Sequence, residues 1–218
     1  MTQLAAAYAE KRPGYFSGAR TDIVALLPRG PHSILELGCG DGSTGRLALE
    51  TGNAARYVGV ELDRAAAEIA AMALSEVVVG DVETLSLKRY AGSFDALIVS
   101  EVFEHLTDPW NTLRTLLHCL KPGALVFASS PNIAHWRVIA NLLRGRFDYA
   151  DEGVMDRTHL RWFTPATYRA MFEAAGVKID RLGAVGSIPG KSGVLSKLAC
   201  GRLDHLLMSQ VMLQGHKL

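Results

Sequence analysis

Glu101, Glu104 and His105 stand at i, i+3 and i+4, so one helical turn would bring two carboxyls and an imidazole to one side. In that arrangement His105, helped by Glu104, can take a proton from a hydroxyl about to attack. The same pair can equally cap and orient the loop that carries it, because charged clusters are often structural. A second stretch is shaped for binding. Ile34-Leu35-Glu36-Leu37 is an apolar run containing an acid, Gly38-Cys39-Gly40-Asp41-Gly42 is a glycine-dense turn, and a helical pattern follows. Strand, turn and helix in that order let a ligand lie against bare backbone. Two further acids close later apolar runs. Glu61 ends one and can accept from both hydroxyls of a ribose, whereas Asp63, just behind it, suits a helix cap. Asp81, after Gly80, can accept from an adenine amino group, cap the residues from Val82 onward, or do both.

These residues need a frame of alternating strands and helices. Apolar runs predict strands over Ser33–Leu37, Tyr57–Glu61, Glu76–Val79, Phe94–Val99 and Ala124–Ala128. Helical patterns run from about Ser43 to Glu50, Arg64 to Leu74 and Pro109 to Leu120, with a short helix or turn over Val82 to Tyr90. Lys121-Pro122-Gly123 ends the third of these. Five such alternations argue a doubly wound α/β sheet. Residues 1–32 read as a helical lead-in and lid: Tyr8, Tyr15 and Phe16 precede the sheet, and Thr21-Asp22 opens a helix with the apolar face Ile23, Leu26, Leu27. Beyond Ser130-Pro131-Asn132 the pattern changes to a cover insertion over 131–175, with a helix from Ala134 to Leu143, a polar stretch from Arg144 to Arg161 and a helix from Pro165 to Ala175. Val177–Leu182 is a sixth strand, Gly183 to Gly193 a mobile glycine-rich segment, Val194 to Leu206 a helix, and Ser209–Leu213 a last strand.

Bulk properties bound the function. The 218 residues fit one large domain, 1–218, and carry 23 Lys+Arg against 22 Asp+Glu, with no long basic run. No nucleic-acid partner is expected from that balance. Three scattered cysteines without a CxxC pair speak against a disulfide framework or zinc ribbon and for a reducing compartment. The first residues show no secretory pattern and no apolar run reaches membrane-span length, so the expectation is a cytoplasmic protein without membrane insertion. The dinucleotide pattern G-x-G-x-x-G is met at Gly38 and Gly40 but fails at Ser43, with Gly42 one residue early, which counts against a nicotinamide cofactor.

In combination these motifs resemble the class I S-adenosylmethionine-dependent methyltransferases. The resemblance rests on Glu36-Leu37-Gly38-Cys39-Gly40-Asp41-Gly42, Gly59-Val60-Glu61-Leu62-Asp63, Gly80-Asp81-Val82-Glu83, the run from Phe94 to Leu106, and Leu120-Lys121-Pro122-Gly123-Ala124. More narrowly, Ser130-Pro131-Asn132 with His135-Trp136 and the run Asp156 to Thr164 are similar to a bacterial subgroup that accompanies polysaccharide and glycan enzymes. The resemblance implies a seven-stranded mixed Rossmann-like sheet of order 3-2-1-4-5-7-6 with strand seven antiparallel, and S-adenosylmethionine as cosubstrate. It implies donor contacts from Tyr15, Arg20, Glu36, Gly38, Cys39, Gly40, Glu61, Leu62, Asp81, Val82, Ser100 and Glu101. Tyr15 would face the sulfonium and Arg20 the donor's carboxylate. His105, Glu104 and His159 are the candidate catalytic residues.

Glu-x-x-Glu-His with a later histidine also resembles the metal-dependent subset of the family, which includes ubiquinone-pathway and small-RNA O-methyltransferases. On that reading Glu101, Glu104, His105 and a distant histidine such as His159 hold a divalent metal, an option not favoured over the other two. Asn132, His135, Trp136, Arg157 and His159 would shape the acceptor side, and Arg144, Arg146, Arg157 and Arg161 would give it a basic rim. Trp136 and Trp162-Phe163 can equally be plain packing. The acceptor expected is a small molecule, a hydroxyl of a sugar or glycan intermediate. The alternative is a regulatory or binding partner without turnover, similar to the MetW proteins of methionine biosynthesis.

Overall fold

The computed structural model describes residues 18–186, 193 and 196–218. Its centre is a seven-stranded sheet of order β3-β2-β1-β4-β5-β7-β6. The strands are β1 (Ser33–Leu37), β2 (Arg56–Glu61), β3 (Glu76–Val79), β4 (Phe94–Ser100), β5 (Leu120–Pro131), β6 (Val177–Ala184) and β7 (Gln210–Lys217). β1 to β5 pair in parallel, and β7 runs antiparallel between β5 and β6. The expected strand order and the reversed seventh strand are both observed.

Period-two alternation splits the strands between two cores. Ile34, Tyr57, Ala96, Ile98 and Phe127 face one way, onto Ile23 and Val24 of α1 (Thr21–Val24), Ala48 of α2 (Ser43–Glu50) and Ala70 of α3 (Arg64–Ala70). Leu35, Leu37, Val58, Leu97, Val99 and Val126 face the other way, onto α4 (Pro109–His118) and α6 (Pro165–Ala174). Glu36 alternates onto the first face, a buried acid in an apolar layer. Between β5 and α6 lies α5 (Trp136–Leu143), and α7 (Asp204–Leu207) precedes β7.

Local chemistry sets the element ends. Asp63 caps α3 by accepting from Ala66 N at 2.8 Å, Asp108 caps α4 ahead of Pro109, and Thr164 and Thr167 form a capping box at α6. Several boundaries differ from the sequence reading. α3 stops at Ala70 and continues only as turns, and the stretch from Val82 to Tyr90 holds one 3₁₀ turn at Lys88–Tyr90. α5 begins two residues late because Asn132 Oδ1 accepts from Ala134 N at 2.9 Å. β5 starts at Leu120: the register jumps between Phe94 and Ala96, and Lys121-Pro122-Gly123 forms an irregularity inside the strand rather than a loop before it. Leu26 is 40% exposed and is not part of the α1 core face. One continuous helix from Val194 to Leu206 is not observed, since Cys200 and Gly201 turn through positive φ. Tyr8, Tyr15, Phe16 and most of Gly183 to Gly193 lie outside the described residues.

Candidate active site

A cavity of about 700 Å³ opens at the carboxyl ends of β1, β2, β3 and β4. In a doubly wound sheet that is the edge where ligands bind. Arg20, Glu36, Gly38, Cys39, Gly40, Glu61, Leu62, Asp81, Val82, Ser100, Glu101, Glu104, His105 and His159 all line it. Tyr15 is the one expected site residue outside the described chain.

At one end the turn after β1 forms the wall. Gly38 and Gly40 adopt φ of 70° and 53°, which an L side chain would resist. A Cβ on Gly38 would lie 2.5 Å from Val102 Cγ2. The turn is not a nest of free amides. Gly38 N–H donates to Val60 O, Gly40 N–H to Glu61 Oε2 at 2.8 Å, and Ser43 N–H to Asp41 Oδ1. Its use is close approach without side chains. Cys39 turns its thiol inward over Gly59, where burial pushes its pKa up, so only its backbone can meet a ligand.

Glu61 takes Asp63 N–H on Oε1 at 2.8 Å, in addition to Gly40 N–H on Oε2. These donors offset the burial that pushes its pKa up. Each oxygen keeps a second lone pair for a ligand hydroxyl. Glu36 accepts from Tyr57 OH at 2.9 Å, and burial raises its pKa to about 8. Asp81 Oδ1 accepts from Glu83 N at 2.9 Å while lining the cavity, so it does cap the next turn.

The sequence reading missed Gly45. A Cβ there would run into Leu74 and come within 2.6 Å of Tyr57. Gly45 lets α2 pack close on the sheet, as the last glycine of a dinucleotide turn does, but two residues later than that pattern places it.

Arg20 lines the cavity with its donors occupied. Nη1 bonds Ser100 Oγ and Ser129 Oγ, each at 2.9 Å, and Nε and Nη2 make a bidentate pair with Asp22. It stitches the lead-in to β4 and β5, and a reach toward a bound carboxylate would exchange one of these bonds.

The other end is assembled from distant segments. His105 sits in a 3₁₀ turn, Phe103–His105. Its Nδ1 lies 3.2 Å from both Thr158 O and Thr158 Oγ1. Thr158 Oγ1 donates to Asp156 Oδ1 at 2.8 Å, so it can only accept from His105. The proton of His105 therefore belongs on Nδ1 and the basic lone pair on Nε2. His159 Nδ1 lies 3.1 Å from Val154 O, which fixes its ring the same way. The two rings meet edge to face at 4.8 Å, and ligand atoms of Glu104, His105 and His159 fall within 4.8 Å of one another.

Glu104 is buried, its Oε1 has no hydrogen-bond partner among the described residues, and burial, with Glu101 nearby, pushes its pKa well up. Glu101 does not join this cluster. It is held at φ 55°, and its Oε2 accepts from Gln210 Nε2 at 3.0 Å. Glu101 precedes the 3₁₀ turn and is left-handed rather than helical, so helical spacing does not set its position relative to Glu104 and His105.

Several expected acceptor residues lie elsewhere. Asn132 is fully buried and donates to His205 O and Met208 O, pinning α7 to β5. His135, Trp136 and Arg157 do not reach the cavity, and Phe163 packs on Tyr168 in the core. The basic rim is half paired: Arg146 pairs with Asp148 and Arg157 with Asp151, while Arg144 donates to Ala140 O and Arg161 to Thr107 O. Gln210, Ser209 and Val154, which line the cavity, were not legible as site residues.

A family model described as a methyltransferase domain matches residues 8–182. A ubiquinone biosynthesis O-methyltransferase of Thiobacillus denitrificans is 27% identical over 170 residues, covering 71% of this chain and 68% of the relative. A malonyl-[acyl-carrier protein] O-methyltransferase of Brevibacillus brevis is 29% identical over 151 residues, covering 66% of this chain and 54% of that protein. The solved structure of an S-adenosylmethionine-dependent methyltransferase from Archaeoglobus fulgidus superposes with a TM-score of 0.65 at 19% identity, over 94% of this chain and 97% of that one.

Proposed function

The chain belongs to the methyltransferase domain family as an S-adenosylmethionine-dependent enzyme, and from that premise we propose that it methylates a hydroxyl oxygen of a small acceptor held beside His105. The observation that carries this reading is the single cavity whose two ends differ in kind. One end offers Glu61, Asp81 and a glycine wall; the other offers paired imidazoles beside a buried carboxyl. The volume suits a nucleoside-sized donor with a small acceptor.

S-adenosylmethionine supplies a methyl on a sulfonium, ready for in-line displacement. The residues proposed to hold it are Glu61 at the ribose, Asp81 and Val82 at the adenine, and Gly38 to Gly40 along the remaining length. The protein's part is position, exclusion of water and removal of one proton. His105 Nε2 takes that proton from the acceptor hydroxyl, and Thr158 and Asp156 hold the ring in the tautomer that allows it. His159 positions the acceptor from the facing edge.

The acceptor is proposed as a hydroxyl compound on the strength of relatives named as O-methyltransferases. The sugar or glycan hydroxyl suggested by the narrower sequence resemblance gains no support from those names. A second reading has its own observation: the approach of Glu104, His105 and His159, with Glu104 Oε1 unpartnered, would suit a divalent cation polarising the acceptor oxygen.

The test is labelled-methyl transfer with phenols, quinol precursors, malonyl carriers and nucleotide sugars, each with and without chelator. Turnover that survives chelation supports His105 alone, and turnover lost to chelator supports the cation. Donor binding with no transfer to any of them would favour the partner-subunit alternative.

A further inference from the structure

The cover reaches the cavity through one short loop, and burial rises along it. Asp151, Glu152 and Gly153 are exposed, Val154 and Met155 are half-buried, and Asp156, Thr158 and His159 are buried. Gly153, Val154, Asp156 and His159 line the cavity. The loop therefore descends from the rim to the imidazole pair, and Val154 stands between the two. Its main-chain O lies 3.1 Å from His159 Nδ1, which places it directly beside that pair.

Main-chain bonds hold the loop in this shape. Ala150 N–H donates to Met155 O at 2.8 Å, Arg157 N–H to Ala150 O at 3.0 Å, and Asp156 N–H to Gly153 O at 3.0 Å. Gly153 turns at φ 81°, a conformation that glycine adopts without strain. The carbonyl of Val154 is thus placed by the loop and not by its own side chain. The cavity takes apolar residues from two other segments, Leu106 just after His105 and Pro131 at the end of β5. Leu106 is buried next to the proposed base, and Pro131 is registered against Gln210 of β7. Val154 is the one of the three whose side chain can change without moving the base or a strand.

We propose that Val154 sets the width of the acceptor: its side chain limits how bulky a substituent can lie between the reacting hydroxyl and the rim. The inference rests on the methyl-transfer reading of this cavity and adds the substrate feature that the site selects. With Leu106 and Pro131 as the other apolar walls, that feature is a slim apolar substituent. A hydrophobic wall of this kind discriminates by shape, and one or two methyl groups more or less change the fit measurably.

The test compares phenol with para-tert-butylphenol, both as methyl acceptors of the full chain and, by calorimetry, as ligands of the protein saturated with S-adenosylhomocysteine. The wild type is expected to prefer phenol. Val154→Ala should raise kcat/KM for the bulky phenol relative to phenol by about tenfold, and Val154→Phe should lower the same ratio by about as much. The ratio of binding constants should move the same way, so the answer does not depend on turnover. Titration with S-adenosylhomocysteine should be unchanged in both variants. Opposite shifts from the two variants are the signature, since damage to the loop would depress both phenols together. A ratio unmoved by either variant, shifts of the same sign, or failure of both phenols to bind wild type and Val154→Ala would overturn the proposal. Turnover with an unmoved ratio would leave the methyl-transfer reading in place, whereas a wild type that does not bind S-adenosylhomocysteine would remove that reading itself.

Discussion

The two ends of the cavity are built by different rules. The end proposed for the donor is made of strand termini and backbone: Gly38 and Gly40 follow β1, Glu61 ends β2 and Asp81 follows β3, and each carboxylate has backbone partners within a few residues or on the adjacent strand. The end proposed for the acceptor is a meeting of side chains from far apart. His105 depends on Thr158, Glu101 on Gln210 from β7, and Glu104 on Ser130 Oγ at 3.2 Å. Sheet register fixes the first end, so it is rigid and general. The cover and the last strand place the second, and these are where acceptor selection would be expected to lie.

Several substitutions would sharpen or break that division. The largest effect is expected from His105→Ala, a loss of about 10²- to 10⁴-fold in kcat, the range for a general base. Affinity for S-adenosylhomocysteine should stay unchanged by calorimetry. A matching loss of affinity would show that the two ends are not separable. Glu61→Ala should do the opposite and weaken S-adenosylhomocysteine by about 10²-fold, as expected for losing charge-assisted hydrogen bonds to two hydroxyls. Glu61→Gln, which keeps acceptor capacity, should fall between the two.

Gly45→Ala strains the packing behind the donor wall. It should cost about 1–3 kcal/mol in urea unfolding, the usual penalty for overpacking. Gln210→Ala should raise the acceptor KM by about tenfold, on the scale of one hydrogen bond to a carboxylate, with donor affinity intact.

Stability should also depend on pH through the buried acid behind this wall. With its pKa raised to about 8 by burial, Glu36 keeps its proton in the folded state after the unfolded chain has released it. Stability should therefore fall as pH rises from the ordinary carboxylate range toward 8. Urea midpoints of Glu36→Gln should show a flatter profile over the same window.

This division also explains what the sequence could convey. Strand periodicity, Gly38, Gly40, Glu61 and Asp81 are local signals, and the alternating strands and the residues lining this end of the cavity were legible from them, whereas the strand order came from the family resemblance. Gly45 was missed because its role is steric, against Leu74 and Tyr57, and a glycine inside a helical pattern announces no partner. Gln210 and Thr158 carry no motif; they matter only through antiparallel pairing of β7 with β5 and the fold of the cover. Helical spacing predicted Glu101 on one side with Glu104 and His105, but Glu101 stands at positive φ ahead of the turn that holds the other two, so no helical register joins them. Asn132 and His135 carried the narrower family likeness, yet Asn132 is spent on holding α7.

The most direct measurement is a crystal structure of the protein with S-adenosylhomocysteine and an unreactive phenol. The expected result is the ribose hydroxyls on Glu61, the adenine beside Asp81, and the sulfur pointing along the cavity toward a phenol oxygen at His105 Nε2. A nucleoside lodged at the histidines, or a cleft left empty while the ligand binds elsewhere, would contradict the assignment of the two ends.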